Sequence, residues 1–144
     1  MISCYLDTSF LIKLYVYEND SLEAARSLAA SKAKRVINRL TGIEVATTFR
    51  RKSLDGYLTA SESQMAVGSF NEDMSVGLYD RKPVGEAVFA LAEDLVERHG
   101  DFIRLRSLDL LHVATALHYG IDGFATYDVQ LRVLVERVGL ELLQ

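Results

Sequence analysis

Short apolar runs alternate with segments of helical period along the whole chain, and this alternation limits the fold more than any other feature. Residues 2–6 read as a strand, after which Phe10, Leu11, Leu14 and Tyr15 carry a helical period that ends near Asn19. Residues 21–31 form a second helix, 35–40 the next strand, and 42–54 a helix that stops before Gly56. Thr59 and Glu62 make a capping box that opens a further helix to Asp73, and 76–79 is a third strand. Pro83 marks a helix start, with Val84, Ala87, Val88, Leu91, Ala92 and Leu95 on one buried face. Residues 107–119 are apolar on more than one side, as a centrally packed helix must be, and Gly120 ends them. Residues 123–126 are a fourth strand, 129–138 a last helix closed by Gly139, and 140–143 a fifth, edge strand. Strands separated by helical crossovers predict an α/β fold with a mostly parallel sheet flanked by helices. With one Pro and no linker, repeat or low-complexity stretch, residues 1–144 read as a single domain. A domain of this size buries roughly 68–70% of its unfolded surface and needs no covalent staples.

In an open parallel sheet every strand ends on the same edge and feeds a loop into a helix, so residues distant in sequence converge there. Four carboxylates, Asp7, Glu44, Asp109 and Asp128, each sit where an apolar run gives way to a helix start. Like charges a few ångströms apart raise one another's pKa values, and a hard divalent cation relieves them. Mg²⁺ or Mn²⁺ suits carboxylate and water oxygens. Each acid also has a purely structural explanation. Asp7 and Asp128 occupy N-cap positions, Thr41 and Glu44 have capping-box spacing, and Asp109 lies two residues after a cap at Ser107, where the helix dipole favours an anion. What separates these four from Asp20, Asp55, Asp73, Asp80, Glu86 and Asp122 is their setting against apolar segments, a dry scaffold that positions a ligand firmly.

Composition narrows the classes. The chain is 49% hydrophobic, yet its apolar runs stop well short of the roughly 20 residues a bilayer requires. The N-terminal residues enter a strand directly with no signal-type stretch, so the expected address is cytoplasmic, with no membrane association. The single Cys4 lies inside a strand without a CxxC partner, which excludes a disulfide framework or a cysteine zinc site and leaves a small buried hydrophobe.

The segments Tyr5-Leu-Asp7-Thr-Ser-Phe-Leu, Thr41-Gly-Ile-Glu44-Val-Ala, Ser107-Leu-Asp109-Leu-Leu-His-Val-Ala-Thr-Ala-Leu and Phe124-Ala-Thr126-Tyr-Asp128 resemble, in order and spacing, the successive motifs of the PIN-domain nucleases. The nearest subgroup is the VapC-type toxins of toxin–antitoxin pairs, and the resemblance spans essentially the whole chain. It implies a five-stranded sheet in the order 3-2-1-4-5, which sets strands 1 and 4 side by side and makes Asp7 and Asp128 neighbours. It also implies that Asp7, Glu44, Asp109 and Asp128 form an acidic quartet that binds Mg²⁺ or Mn²⁺, with Thr126 or Ser9 assisting. One departure is Tyr127, where many relatives carry a small polar residue.

The chemistry so implied is endoribonucleolytic hydrolysis of RNA phosphodiesters by metal-activated water. The implied partners are an RNA substrate, a cognate antitoxin presenting a cation to the acids, and a second copy of the chain in a homodimer. No covalent nucleophile is offered: there is no G-x-S-x-G elbow and no cysteine paired with a base. His112 reads as a packed core histidine with the reach to orient Asp109, while His99 and His118 suit helix ends. Against a net charge of −4, Arg50, Arg51 and Lys52 follow Glu44 along its helix, and Lys32, Lys34, Arg35 and Arg39 lie just upstream as phosphate contacts. A haloacid-dehalogenase-type phosphatase would need a second Asp where Ser9 stands, and a receiver domain would need adjacent acids near the first strand. The alternative that remains is a PIN fold outside toxin duty, either an RNA-processing nuclease or a metal-poor interaction module.

Overall fold

A computed structural model describes residues 1–144 and shows a three-layer α/β/α arrangement. The strands are β1 (Ser3–Leu6), β2 (Lys34–Asn38), β3 (Asp80–Lys82), β4 (Gly123–Ala125) and β5 (Glu141–Leu142). The helices are α1 (Thr8–Leu11), α2 (Ser21–Ser31), α3 (Thr41–Leu54), α4 (Ala60–Ser75), α5 (Glu86–His99), α6 (Ser107–His118) and α7 (Val129–Arg137). The sheet runs β3-β2-β1-β4-β5, the expected order, and all four pairings are parallel. No helix is long and apolar enough to cross a membrane.

Strand alternation builds the layers. On β1, Tyr5 points to one face while Cys4 and Leu6 point to the other; Val36 and Ile37 divide likewise on β2, as do Phe124 and Ala125 on β4. The first face is covered by α5, α6 and α7 through residues such as Val88, Leu95, Val113 and Leu134, and the second by α1 to α4 through Phe10, Leu28, Phe49 and Phe70. Helix α6 is buried from Leu110 through Ala116, which explains its apolar sides. Cys4 is a free, buried thiol, and burial pushes its pKa up to about 12.

Several boundaries differ from the sequence reading. The third strand is Asp80–Lys82 rather than residues 76–79, because α4 continues to Ser75 and Gly77, at φ 78°, turns the chain out of it. Val76 is 73% exposed, so its apolarity marks no strand. The observed third strand, one of the two sheet edges, is charged, with Asp80 held by Lys34 at 2.8 Å and Lys82 at 3.0 Å, and charge on an edge discourages pairing with other chains. The first helix is a single turn followed by a 3₁₀ segment, Ile12–Leu14, instead of running to Asn19. Pro83 lies outside α5, which Gly85 precedes; Ala87 is exposed, and the buried stripe is Val88, Ala92 and Leu95. The capping box at Thr59 and Glu62 is present with both bonds at 3.0 Å.

Two expected caps are absent. Thr41 is the first residue of α3 rather than its cap, and its hydroxyl donates to Asn38 Oδ1 at 3.3 Å. Asn38, fully buried, does the capping: the same oxygen accepts from the Leu40 amide at 2.9 Å, and its Nδ2 donates to Thr115 Oγ1 at 3.0 Å. Ser107 likewise begins α6 inside the helix, after Arg106, which makes no capping bond.

Candidate active site

The carboxyl edge opens into a cleft of about 630 Å³, and Asp7, Glu44, Asp109 and Asp128 all line it. Each is brought there by a different element, and each is already held by a protein donor.

Asp7 follows β1 directly, its amide donating to the Ala125 carbonyl at 3.1 Å. It caps α1, with Oδ1 accepting from the Phe10 amide at 2.9 Å and the Ser9 hydroxyl at 2.8 Å, while Oδ2 accepts from Thr126 Oγ1 at 2.5 Å. Burial pushes its pKa up to about 6, against these bonds, which lower it. The cap and site readings of Asp7 are therefore compatible: one carboxylate does the capping and faces the cleft. Thr126 Oγ1 also accepts from the Asp128 amide at 3.0 Å, and Ser9 Oγ accepts from the Tyr127 amide at 2.9 Å. These two hydroxyls tie the ends of β1 and β4 together and bring Asp7 and Asp128 to neighbouring positions.

Asp128 caps α7, with Oδ1 accepting from the Leu131 amide at 2.9 Å. Its Oδ2 faces the cleft. Asp109 stands in the first turn of α6, and burial raises its pKa although the Arg106 guanidinium opposes the shift. Arg106 bridges the two acids, its Nε 3.1 Å from Asp109 Oδ2 and its Nη2 3.2 Å from Asp128 Oδ2.

Glu44 projects from the first turn of α3 to His112 Nε2. His112 does not orient Asp109, its expected partner. It is buried, and its Nδ1 lies 2.5 Å from the Tyr5 hydroxyl. Burial lifts the Tyr5 pKa well above its ordinary value. A carboxylate only accepts, so His112 Nε2 donates to Glu44, while Nδ1 pairs with the Tyr5 hydroxyl. A Tyr5–His112–Glu44 chain thus runs from the core to the cleft.

Part of the wall is basic. Lys13, Arg51 and Lys52 line it, and Glu18 clasps both lysines at 2.9 Å. Lys13 also sits 4.8 Å from the centre of the Tyr127 ring, which stacks on Phe10, so the aromatic residue carries part of this wall. The upstream basic cluster is elsewhere: Lys34 and Arg35 begin β2, at the sheet edge opposite the acids, and Lys32 and Arg39 do not line the cleft. Arg50 turns back to the Ala46 carbonyl of its own helix at 3.2 Å. The sequence reading overlooked Lys13 and Arg106. Arg106 was detectable three residues before Asp109, the spacing at which helical neighbours meet; Lys13 depended on the 3₁₀ turn.

The donor set fits a hard cation, since all four acids offer oxygen and no thiol faces the cleft. As the side chains stand, no three Asp, Glu, His or Cys groups are close enough together to share an ion. Asp109 and Asp128 are turned to Arg106 and Glu44 to His112, so shared binding requires those side chains to turn.

A family model described as PIN domain matches residues 4–136. The chain is 29% identical to Ribonuclease VapC46 of Mycobacterium tuberculosis, over 99% of this chain and 98% of that protein. Among solved structures it is similar to Mycobacterium tuberculosis VapC20, described as a Sarcin-Ricin loop cleaving toxin, with TM-score 0.71 and 20% identity, covering 91% of this chain and 94% of that one. A toxin–antitoxin complex from Klebsiella pneumoniae aligns with TM-score 0.63 and 18% identity, covering 89% and 88% of the two chains.

Proposed function

This chain belongs to the PIN domain family, and on that premise we propose that it is a Mg²⁺- or Mn²⁺-dependent endoribonuclease, the toxin of a toxin–antitoxin pair. The observation that carries the reading is the meeting of four carboxylates, from four separate elements, in one cleft that basic side chains also line. The names of the relatives, a ribonuclease and a loop-cleaving toxin, support RNA as the substrate class.

Asp7, Glu44, Asp109 and Asp128 would hold the divalent cation, which when bound would acidify water and neutralise charge developing on the phosphoryl oxygens. The rest falls to the chain. Ser9 and Thr126 fix the Asp7 carboxylate from both sides, so its placement is settled before substrate arrives. The Tyr5–His112 pair holds Glu44 at the cleft from a dry interior, and Glu44 turns from it to share the ion. Lys13, Arg51 and Lys52 attract the RNA backbone and set its register along the cleft, without reading its sequence.

Purified protein is expected to cleave structured RNA only with Mg²⁺ or Mn²⁺, and Asp7→Asn and Asp109→Asn are each expected to slow cleavage by orders of magnitude. Cleavage that persists in excess chelator would sink the reading. The partner in this proposal is an antitoxin whose Arg or Lys competes with the cation for the same carboxylates; the similarity to a toxin–antitoxin complex supports it. Titrating such a partner is expected to abolish cleavage, with excess divalent cation partly restoring it. The chain itself is expected to be a homodimer, and a monomeric mass by light scattering at micromolar concentration would remove that part.

A further inference from the structure

We propose that Arg106 is a built-in competitor for the cation site, a guanidinium that must release Asp109 and Asp128 before those acids can take a shared divalent ion. The inference rests on reading the four acids as a cation site.

Three observations carry it. First, one side chain reaches two of the four acids at once, at 3.1 Å and 3.2 Å, and joins a residue of α6 to the cap of α7. Second, of the two Asp128 oxygens it holds the one without a backbone donor: Oδ1 accepts from the Leu131 amide, and Arg106 Nη2 sits on Oδ2. Third, Arg106 is poised to leave. Its side chain is 76% exposed at the rim of the cleft, and it stands just before α6 with no capping bond to hold it.

Chemistry explains why arginine suits this task. A guanidinium carries several donors in a planar fork, so separate nitrogens can engage separate carboxylates. It does not lose its proton in proteins, so the competition persists at every working pH. Exposed ion pairs are individually weak, which means that the competitor tunes cation affinity rather than blocking the site. Removing it should therefore strengthen cation binding, the reverse of what losing a ligand does.

Calorimetric titration of Mn²⁺ into the purified chain tests this. Wild type is compared with Arg106→Gln, with Arg51→Gln, which removes an equal charge from the same cleft without touching an acid of the quartet, and with Asp7→Asn. Arg106→Gln is expected to bind Mn²⁺ about fivefold more tightly than wild type, the size of one exposed ion pair. Arg51→Gln should change affinity less than Arg106→Gln does, and Asp7→Asn should lose binding. If Arg106→Gln binds no more tightly than wild type, or if Arg51→Gln tightens binding as much, the competitor role is overturned while the cation site stands. If neither wild type nor folded Arg106→Gln binds Mn²⁺, or if Asp7→Asn binds as well as wild type, the cation site itself is overturned and the competitor with it.

Discussion

Asp7 shows how much of the chemistry is decided by a single buried carboxyl. Its folded pKa of about 6 lies above the ordinary 3.8, so the folded chain binds more protons than the unfolded chain between those values. The favourable contribution of the protonated form is full below about 3.8 and is lost as pH rises through about 6. The difference corresponds to about 3 kcal/mol, and Asp109, also raised by burial, acts with the same sign. Asn caps a helix about as well as Asp and carries no charge to desolvate. In metal-free buffer Asp7→Asn is therefore expected to melt several degrees above wild type at pH 8, with the gap closing as pH falls towards 4. Melting curves across that range check it, and a gap independent of pH would show that burial does not strain the Asp7 carboxylate. The strand-to-helix setting of Asp7 and Asp128 was legible because a cap and the acids of a sheet edge leave the same local signature. The partner of Glu44 was not. Glu44 and His112 are separated by 68 positions, and only the packing of α6 against the sheet brings them together.

At the scale of elements, the start of α3 determines where Glu44 goes. A capping box at Thr41 would have tied its carboxylate to a backbone amide; Asn38 satisfies the α3 entry instead and leaves Glu44 free to meet His112. Asn38→Ala is expected to cost about 1–3 kcal/mol, because the buried Thr41 amide and the half-buried Leu40 amide lose their acceptor and the Thr115 hydroxyl loses a donor. Denaturant unfolding measures this, and an unchanged midpoint would mean that Thr41 can cap α3 unaided. Periodicity located the helices well, since a stripe such as Val88, Ala92 and Leu95 repeats at helical spacing. It misplaced the third strand because β3 is a charged edge held by backbone pairing to β2, with no apolar pattern of its own.

For the whole molecule, strand order converts scattered residues into one cleft. The order follows from the parallel crossovers together with the family resemblance, and it brings the ends of β1 and β4 side by side, where Ser9 and Thr126 join them. The basic wall was only half legible, because Arg51 and Lys52 ride on the helix of Glu44 whereas Lys34 and Arg35 enter the sheet at its far edge. Four acids sharing a cation should make the stability of the entire domain depend on that cation, since a ligand bound only by the folded state stabilises it in proportion to the logarithm of its concentration above the dissociation constant. Thermal melts of wild type and Asp7→Asn at pH 8, with and without Mg²⁺, test this without a substrate. The expected result is that the wild-type melting temperature climbs with the logarithm of Mg²⁺ concentration, while Asp7→Asn starts higher and does not move. Two proteins that melt alike in both conditions would contradict a shared cation site at Asp7, Glu44, Asp109 and Asp128.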